Sequence, residues 1–266
     1  MTYWTSLLAL ISFTTVCSAK DFEPFEGFKP VAVLVQEYTG AAVMGAETPR
    51  VAIYENGGVI YFRGDSAHNQ GAYFYAELGF PALSTVISQL KTVTDLKGLK
   101  SSYSVTNGTD QGRALFYLRA DNAEVVTSVY GLRPQDKDTK ELPAGRIPNE
   151  LRQLYHYLVT ADFTESRPWR PAYVEAMIWP LDDAFDGLIH WPKTWPDLNS
   201  DRAIKRKNGF SIFLDGSMRD DLKNFLAGEK EKGAVEIDGR KWTVASRPVF
   251  PSEPVWRKAF SRIESN

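Results

Sequence analysis

The chain has 266 residues, one cysteine and three histidines, and its 31 basic and 33 acidic side chains leave a formal net charge of −2. That length suffices for one large core or two small ones, and the balanced charge lacks the basic excess that a nucleic-acid partner requires. A lone Cys17 and the widely spaced His68, His156 and His190 exclude a disulfide framework and a local metal motif, and no cofactor is implied.

The N-terminus reads as a secretory signal peptide over residues 1–19. Leu7 to Phe13 is an apolar run, and Cys17-Ser18-Ala19 places small residues at both cleavage-recognition positions before Lys20. The segment before the run carries no Lys or Arg, which is the one departure from the pattern. The run is well short of the roughly 20 residues that span a bilayer. Lipoprotein anchoring through Cys17 is disfavoured, because Thr14-Thr15-Val16 lacks the usual leucine three residues back and the small residue directly before the cysteine. The expectation is an exported protein, periplasmic or secreted and of bacterial type. Its mature chain would contain no cysteine and hence no disulfide, thiol nucleophile or thiolate metal site. No later segment is apolar enough to cross a membrane.

The expected fold is α+β, with a mostly antiparallel sheet and two helices in an N-terminal domain over 20–165. Val31 to Val35 begins a strand, and Arg50 to Tyr54 and Val59 to Phe62 flank Asn56-Gly57, a two-residue hairpin signal. Ala72 to Leu78 is a further strand. After Pro81, the spacing of Leu83, Val86, Ile87, Leu90 and Val93 predicts a helix with one packed face. Ser101 to Thr106, Ala114 to Leu118 and Val125 to Tyr130 predict three more strands, the last two joined through Asp121-Asn122. Arg133 to Arg146 reads as a surface loop. Pro148 suits a first helical turn, and Leu151, Leu154, Tyr155, Leu158 and Val159 share one face of the helix that follows.

Three segments, "IYENGGVIYF", "SSYSVTNGTDQGRALFYLR" and "VVTSVYGL", together resemble a recurrent exported bacterial domain of unknown function. There a strand with a glycine turn precedes one helix, a "TD" step and a "VYG" strand end. The resemblance covers about residues 49–160. It implies a fold and an exported location, and it supplies no activity and no site residues.

A smaller, β-rich region over 166–266, sharing the first core or forming its own, contains six of the seven tryptophans. Ala172 to Trp179 predicts a strand that leads into Trp179-Pro180, Trp191-Pro192 and Trp195-Pro196, and proline biases each preceding tryptophan toward extended backbone. Phe210 to Leu214 is another strand. Ser217 with Asp220 forms a capping pair for a helix whose apolar face is Met218, Leu222, Phe225 and Leu226, and Gly228 is a fitting stop. Val235 to Ile237 and Trp242 to Ala245 flank Asp238-Gly239, a hairpin signal that would complete a βαββ unit. Trp242 and Trp256 read as core or docking residues.

Several short motifs imitate catalytic ones. Phe62-Arg63-Gly64-Asp65-Ser66 is similar to the first block of the GDSL esterases, in which the serine is the nucleophile. Here Ala67 replaces the leucine, Asp186 to His190 has one residue too many for the Asp-x-x-His pair, and no Gly-x-Asn block supplies an oxyanion donor. Hydrolysis by Ser66 is therefore the weakest reading. Arg63-Gly64-Asp65 reads as a turn rather than an integrin motif. Ser88-Gln89-Leu90-Lys91 lacks the partner motifs of the penicillin-binding enzymes, and Asn107-Gly108-Thr109 is a turn that is a glycosylation sequon only in a eukaryotic secretory pathway. Asp182, Asp183 and Asp186 follow Trp179 closely, yet their spacing shows neither opposed glycosidase carboxylates nor a calcium loop.

The composition favours binding over catalysis, with an unknown protein or glycan of the cell envelope as partner. A glycan or peptidoglycan platform would use Trp179, Trp191 and Trp195, with Asp182 and His190 as hydrogen-bond partners. A periplasmic inhibitor or immunity-type protein would instead cap a protein partner with Arg167, Trp169, Arg170, Arg247 and Trp256. The competing expectation for the rings is burial, since tryptophan covers a large area and anchors long loops over sheets.

Overall fold

The computed structural model describes residues 22–37, 47–65, 70–132, 146–160, 163, 165–181, 187–228 and 233–264. The expected signal peptide with Cys17, Ser66, the loop over residues 133–145, and Asp182, Asp183 and Asp186 lie outside these residues. The described chain is mixed α+β, with four helices and two mostly antiparallel sheets.

Unbroken apolar runs such as Val31 to Val35 mark strands buried on both faces, and they build the first sheet. Its strands are β1 (Pro30–Glu37), β2 (Pro49–Tyr54), β3 (Gly58–Asp65), β4 (Gln70–Glu77), β5 (Ser102–Ser104), β6 (Arg113–Ala120), β7 (Ala123–Tyr130) and β8 (Arg167–Pro168). They lie in the order β5-β7-β6-β1-β2-β3-β4-β8. Only β5 and β7 run parallel.

Period-two alternation divides the side chains between two cores. Leu34, Val51, Ile53, Val59, Phe116 and Leu118 face α1 (Phe80–Thr94) and α2 (Asn149–Thr160), which contribute Val86, Leu90, Val93, Leu151, Leu154, Tyr155 and Leu158. Val33, Val35, Ala52, Ile60, Leu115 and Tyr117 point the other way and pack under Trp256, Ala259 and Phe260 of α4 (Glu253–Glu264). Helix α4 has no counterpart among the sequence-derived elements, because its first turn lies within the proline-rich stretch from Pro248 to Pro254.

The β2–β3 hairpin differs from the two-residue loop expected at Asn56-Gly57. The register pairs Ile53 with Val59, and the Gly57 amide donates to the Tyr54 carbonyl at 2.9 Å, so the loop comprises Glu55, Asn56 and Gly57. The reason is the asparagine side chain, whose Oδ1 accepts from the Gly58 amide at 3.1 Å and leaves the positive φ, 86°, to Gly57 alone. A Cβ on Gly57 would meet the Leu78 carbonyl oxygen at 2.5 Å. Gly57→Ala is therefore expected to lose about 1–3 kcal/mol of stability, measured as a fall in the urea midpoint at unchanged slope. The other two turn signals match their turns: Asp121 takes φ 49°, and Asp238 and Gly239 take 51° and 72°.

The second sheet comprises β9 (Tyr173–Pro180), β10 (Leu188–His190), β11 (Ala203–Arg206), β12 (Gly209–Asp215), β13 (Ala234–Ile237) and β14 (Arg240–Pro248), in the order β10-β13-β14-β9-β12-β11. Only β10 and β13 are parallel. In sequence, β12, α3 (Arg219–Ala227), β13 and β14 follow one another, and β9 slots between β12 and β14. Val174, Ala176, Ile178, Ile212, Leu214, Val235 and Val244 form one face, closed by Leu222 of α3. The Ser217 cap expected for α3 does not form. Gly216 to Met218 make a 3-10 turn without a side-chain cap, held where a Cβ at Gly216 would run into the Pro171 carbonyl. Asp220 and Asp221 in the first turn complement the helix dipole instead.

The chain crosses between the sheets at both ends. Before β1, Phe22 and Phe25 pack their rings against Phe213 of the second sheet, at centroid distances of 5.6 Å each. After β14, Phe250 and α4 return to the first sheet, and Trp169 lies 4.8 Å from Phe250. Among the described residues, no helix is long and apolar enough to cross a membrane.

Candidate functional site

The structure separates the three tryptophans expected to share a platform. Trp191 is 7% exposed; its Nε1 donates to the Pro196 carbonyl at 2.9 Å, and its ring meets Trp195 and Phe225 edge to face at 5.1 and 5.6 Å. Trp195 and Phe225 close the triangle at 5.5 Å. This triad anchors the β10–β11 connection over α3, on the packed face of the second sheet. Trp179 alternates with Ile178 along β9 and so lies on the opposite face, half-buried, with Glu175 and Met177. His190 is exposed on β10, with Nδ1 3.4 Å from a Glu236 carboxylate oxygen, and Asp182 lies outside the described residues. The rings therefore do not make one exposed surface.

The residues considered for capping a protein partner are also dispersed. Trp256 and Arg247 are buried, Trp169 is half-buried against Tyr73 and Phe250, and Arg167 lies exposed over the Tyr75 ring at 5.0 Å. Arg170 is exposed.

The face that carries Trp179 holds a buried ion network. Period two directs Glu175 inward beside Arg247 of β14 and Phe213 of β12, and Glu175 is 1% exposed. An ionised group so placed is tolerated only with partners. Arg247 forms ion pairs with both Glu175 and Glu253, the first residue of α4. Ser211 Oγ donates to Glu175 Oε1, Arg206 Nε donates to Ser211 Oγ at 2.8 Å, and Arg206 Nη2 approaches Glu175 at 3.3 Å. Arg257, one turn along α4, donates to Glu253 and, through Nη2, to the Glu47 carbonyl at 2.8 Å. The second Glu253 oxygen accepts from the Phe250 amide at 3.2 Å, completing the start of α4.

Electrostatics favour the charged forms of Glu253 and Arg247, whereas burial and the Arg247 charge pull Arg257 below the ordinary arginine range. Burial alone would raise the Glu253 carboxyl, but Arg247 and Arg257 outweigh it and hold the group below the ordinary glutamate range. Burial likewise pulls Arg247 down, and Glu253 and Glu175 more than restore it. Burial pushes the neighbouring Tyr54 hydroxyl far up, with the Glu253 charge adding to the effect.

Above the network opens a cleft of about 440 Å³. Its walls are apolar, from Phe25, Met177, Trp179, Phe210 and Pro254, and its polar lining includes Glu175, Arg206, Asn208, Ser211, Arg247, Glu253 and Arg257. Apolar walls with a few converging polar groups are the usual make-up of a small-molecule site, and the volume falls within the ordinary range. Strand closeness shapes it, since a Cβ at Gly209 would collide with the Ile178 carbonyl. Among the described residues no cluster of His, Cys, Asp or Glu could hold a metal. Among the described lining residues Ser211 carries the one hydroxyl, and its acceptor Glu175 is already paired with guanidinium groups, so the pair does not make an activated nucleophile.

Glu175, Arg206, Glu253 and Arg257 were not among the sequence-derived candidates. A signal for them was present: Glu175 interrupts an apolar strand, Tyr173 to Trp179, and Glu253 and Arg257 stand four apart. Which carboxylate meets which guanidinium depended on pairing β9 with β14 and on the return of α4, neither of which local spacing encodes. Comparison with protein-family models, curated proteins and solved structures finds no match for this chain.

Proposed function

We propose that this is an exported binding protein that holds a small organic molecule in the cleft between the second sheet and the start of α4, without turning it over. One observation carries the reading: a charged, buried floor tied together by ion pairs lies beneath apolar walls, and one wall is the half-buried Trp179. A fixed ion network is pre-organised for recognition, since its charges need no reordering when a ligand arrives. Catalysis would instead require a group poised to exchange a proton near neutral pH, and Glu253 and Arg247 are driven away from that range. The export part of the proposal rests on the apolar run and cleavage pattern of residues 1–19.

Thermal shift against a library of small soluble organic molecules tests the binding reading. A ligand present at 100 times its Kd should stabilise the protein by about 2.7 kcal/mol. Trp179→Ala is expected to abolish that shift while the ligand-free protein still melts cooperatively. A ligand whose shift survives Trp179→Ala binds elsewhere, and that result would remove the cleft from consideration.

A further inference from the structure

We infer that the ligand of the cleft is a singly charged anion, a carboxylate carried on a flat apolar body; the inference rests on the binding reading above and specifies its ligand class. The charge comes from the lining itself. Among the described lining residues, three guanidinium groups, Arg206, Arg247 and Arg257, stand against two carboxylates, Glu175 and Glu253, an excess of one positive charge. Closing that balance takes one negative charge.

The donors point to the same class. Arg247 is 7% exposed, its two Nη atoms are committed to Glu175 and Glu253, and its Nε has no hydrogen-bond partner. That N–H is closed off from solvent, so an incoming group meets Arg206 instead. Arg206 is the most exposed of the five charged lining residues, with a side chain 45% exposed, against 29% for Arg257 and 6% or less for the other three. It stands where an incoming anion is met first, and its guanidinium suits a planar carboxylate.

The apolar body follows from the walls. Glu175, Met177 and Trp179 share one face of β9, and Phe25 and Pro254 also line the cleft. A flat ring stacked on the indole and contacting the Met177 thioether would gain both aromatic and sulfur contacts. A phosphate dianion would leave the described lining one negative charge in excess, and a neutral molecule would leave it one positive charge in excess.

Isothermal titration of the purified full chain with three probes sharing one body tests this: 2-naphthylacetate, 2-naphthylacetamide and 2-naphthyl phosphate. The carboxylate should bind about tenfold or more tightly than the amide, and the phosphate should bind more weakly than the carboxylate. Arg206→Gln should erase the carboxylate's advantage over the amide, and Arg206→Lys should restore part of it, with both variants melting as the parent does. Equal affinity for carboxylate and amide, or an advantage that persists in Arg206→Gln, overturns the anion assignment and leaves cleft binding standing. Preference for the phosphate also overturns it. Absence of heat with all three probes, together with no thermal shift from the broader library, overturns both readings.

Discussion

Arg247→Met is expected to destabilise the protein by about 3–5 kcal/mol. Arg247 is the hub through which Glu175 on β9 and Glu253 on α4 are both neutralised. Without it, two carboxylates that are each about 1% exposed face one another across the interface, and Arg206 and Arg257 reach only one apiece. Methionine fills most of the volume, so the loss reports the stranded charges rather than a cavity. A protein of ordinary stability, about 5–15 kcal/mol, would lose a third or more of its margin. Urea denaturation monitored by tryptophan fluorescence reads this directly; a loss under about 1 kcal/mol would mean that the network does not tie α4 to the second sheet.

Glu253→Gln at the same site should cost less, about 1.5–3 kcal/mol near neutral pH, because Arg247 keeps Glu175. Its pH dependence has a definite sign. The folded Glu253 carboxyl is held below its ordinary range, so its contribution is present above the unfolded glutamate value and is lost as pH falls through the lower folded value. Parent and Glu253→Gln should differ at pH 7 and converge on acidification below about pH 4.

Much of the fold was legible from the chain because local patterns and tertiary demands coincide there. Leu83, Val86, Ile87, Leu90 and Val93 repeat at helical spacing, and the sheet surface buries that stripe in α1. Asp238-Gly239 needs two positive φ angles and has the residues to supply them. Helix α4 was hidden by Pro248, Pro251 and Pro254, yet Pro254 falls in its first turn, where the missing amide hydrogen costs nothing. The site was less legible for a related reason. Trp179 lies in a strand while Trp195 closes a turn on the Pro192 carbonyl, and whether each tryptophan is buried depends on strand parity and on what covers each face. Parity sends Trp179 to the cleft, while Trp191 and Trp195 close on Phe225. Arg247 carries the same ambiguity, because a strand arginine reads as a surface anchor until its inward neighbour proves to be a buried glutamate.

Trp256→Ala is the second large effect, expected at about 3–5 kcal/mol, and its contrast with Trp256→Phe makes it informative. The indole is 1% exposed beneath the face formed by Val33, Val35, Leu115 and Tyr117, with Phe260 at 5.6 Å and the Arg257 guanidinium 4.7 Å from its ring. Alanine forfeits nearly all of that contact. Phenylalanine retains most of it and removes a buried Nε1 that has no hydrogen-bond partner, so its cost should stay below about 1.5 kcal/mol. Trp256 lies less than one turn beyond Glu253, so loosening the ring also loosens the carboxylate that Arg247 and Arg257 hold. Hydrogen exchange should therefore show Trp256→Ala weakening protection in two places at once, along β1 and β6 under the helix and along β9 beside the cleft. Trp256→Phe should leave both protected. Loss confined to β1 and β6 would show that α4 covers the first sheet without holding the cleft in shape.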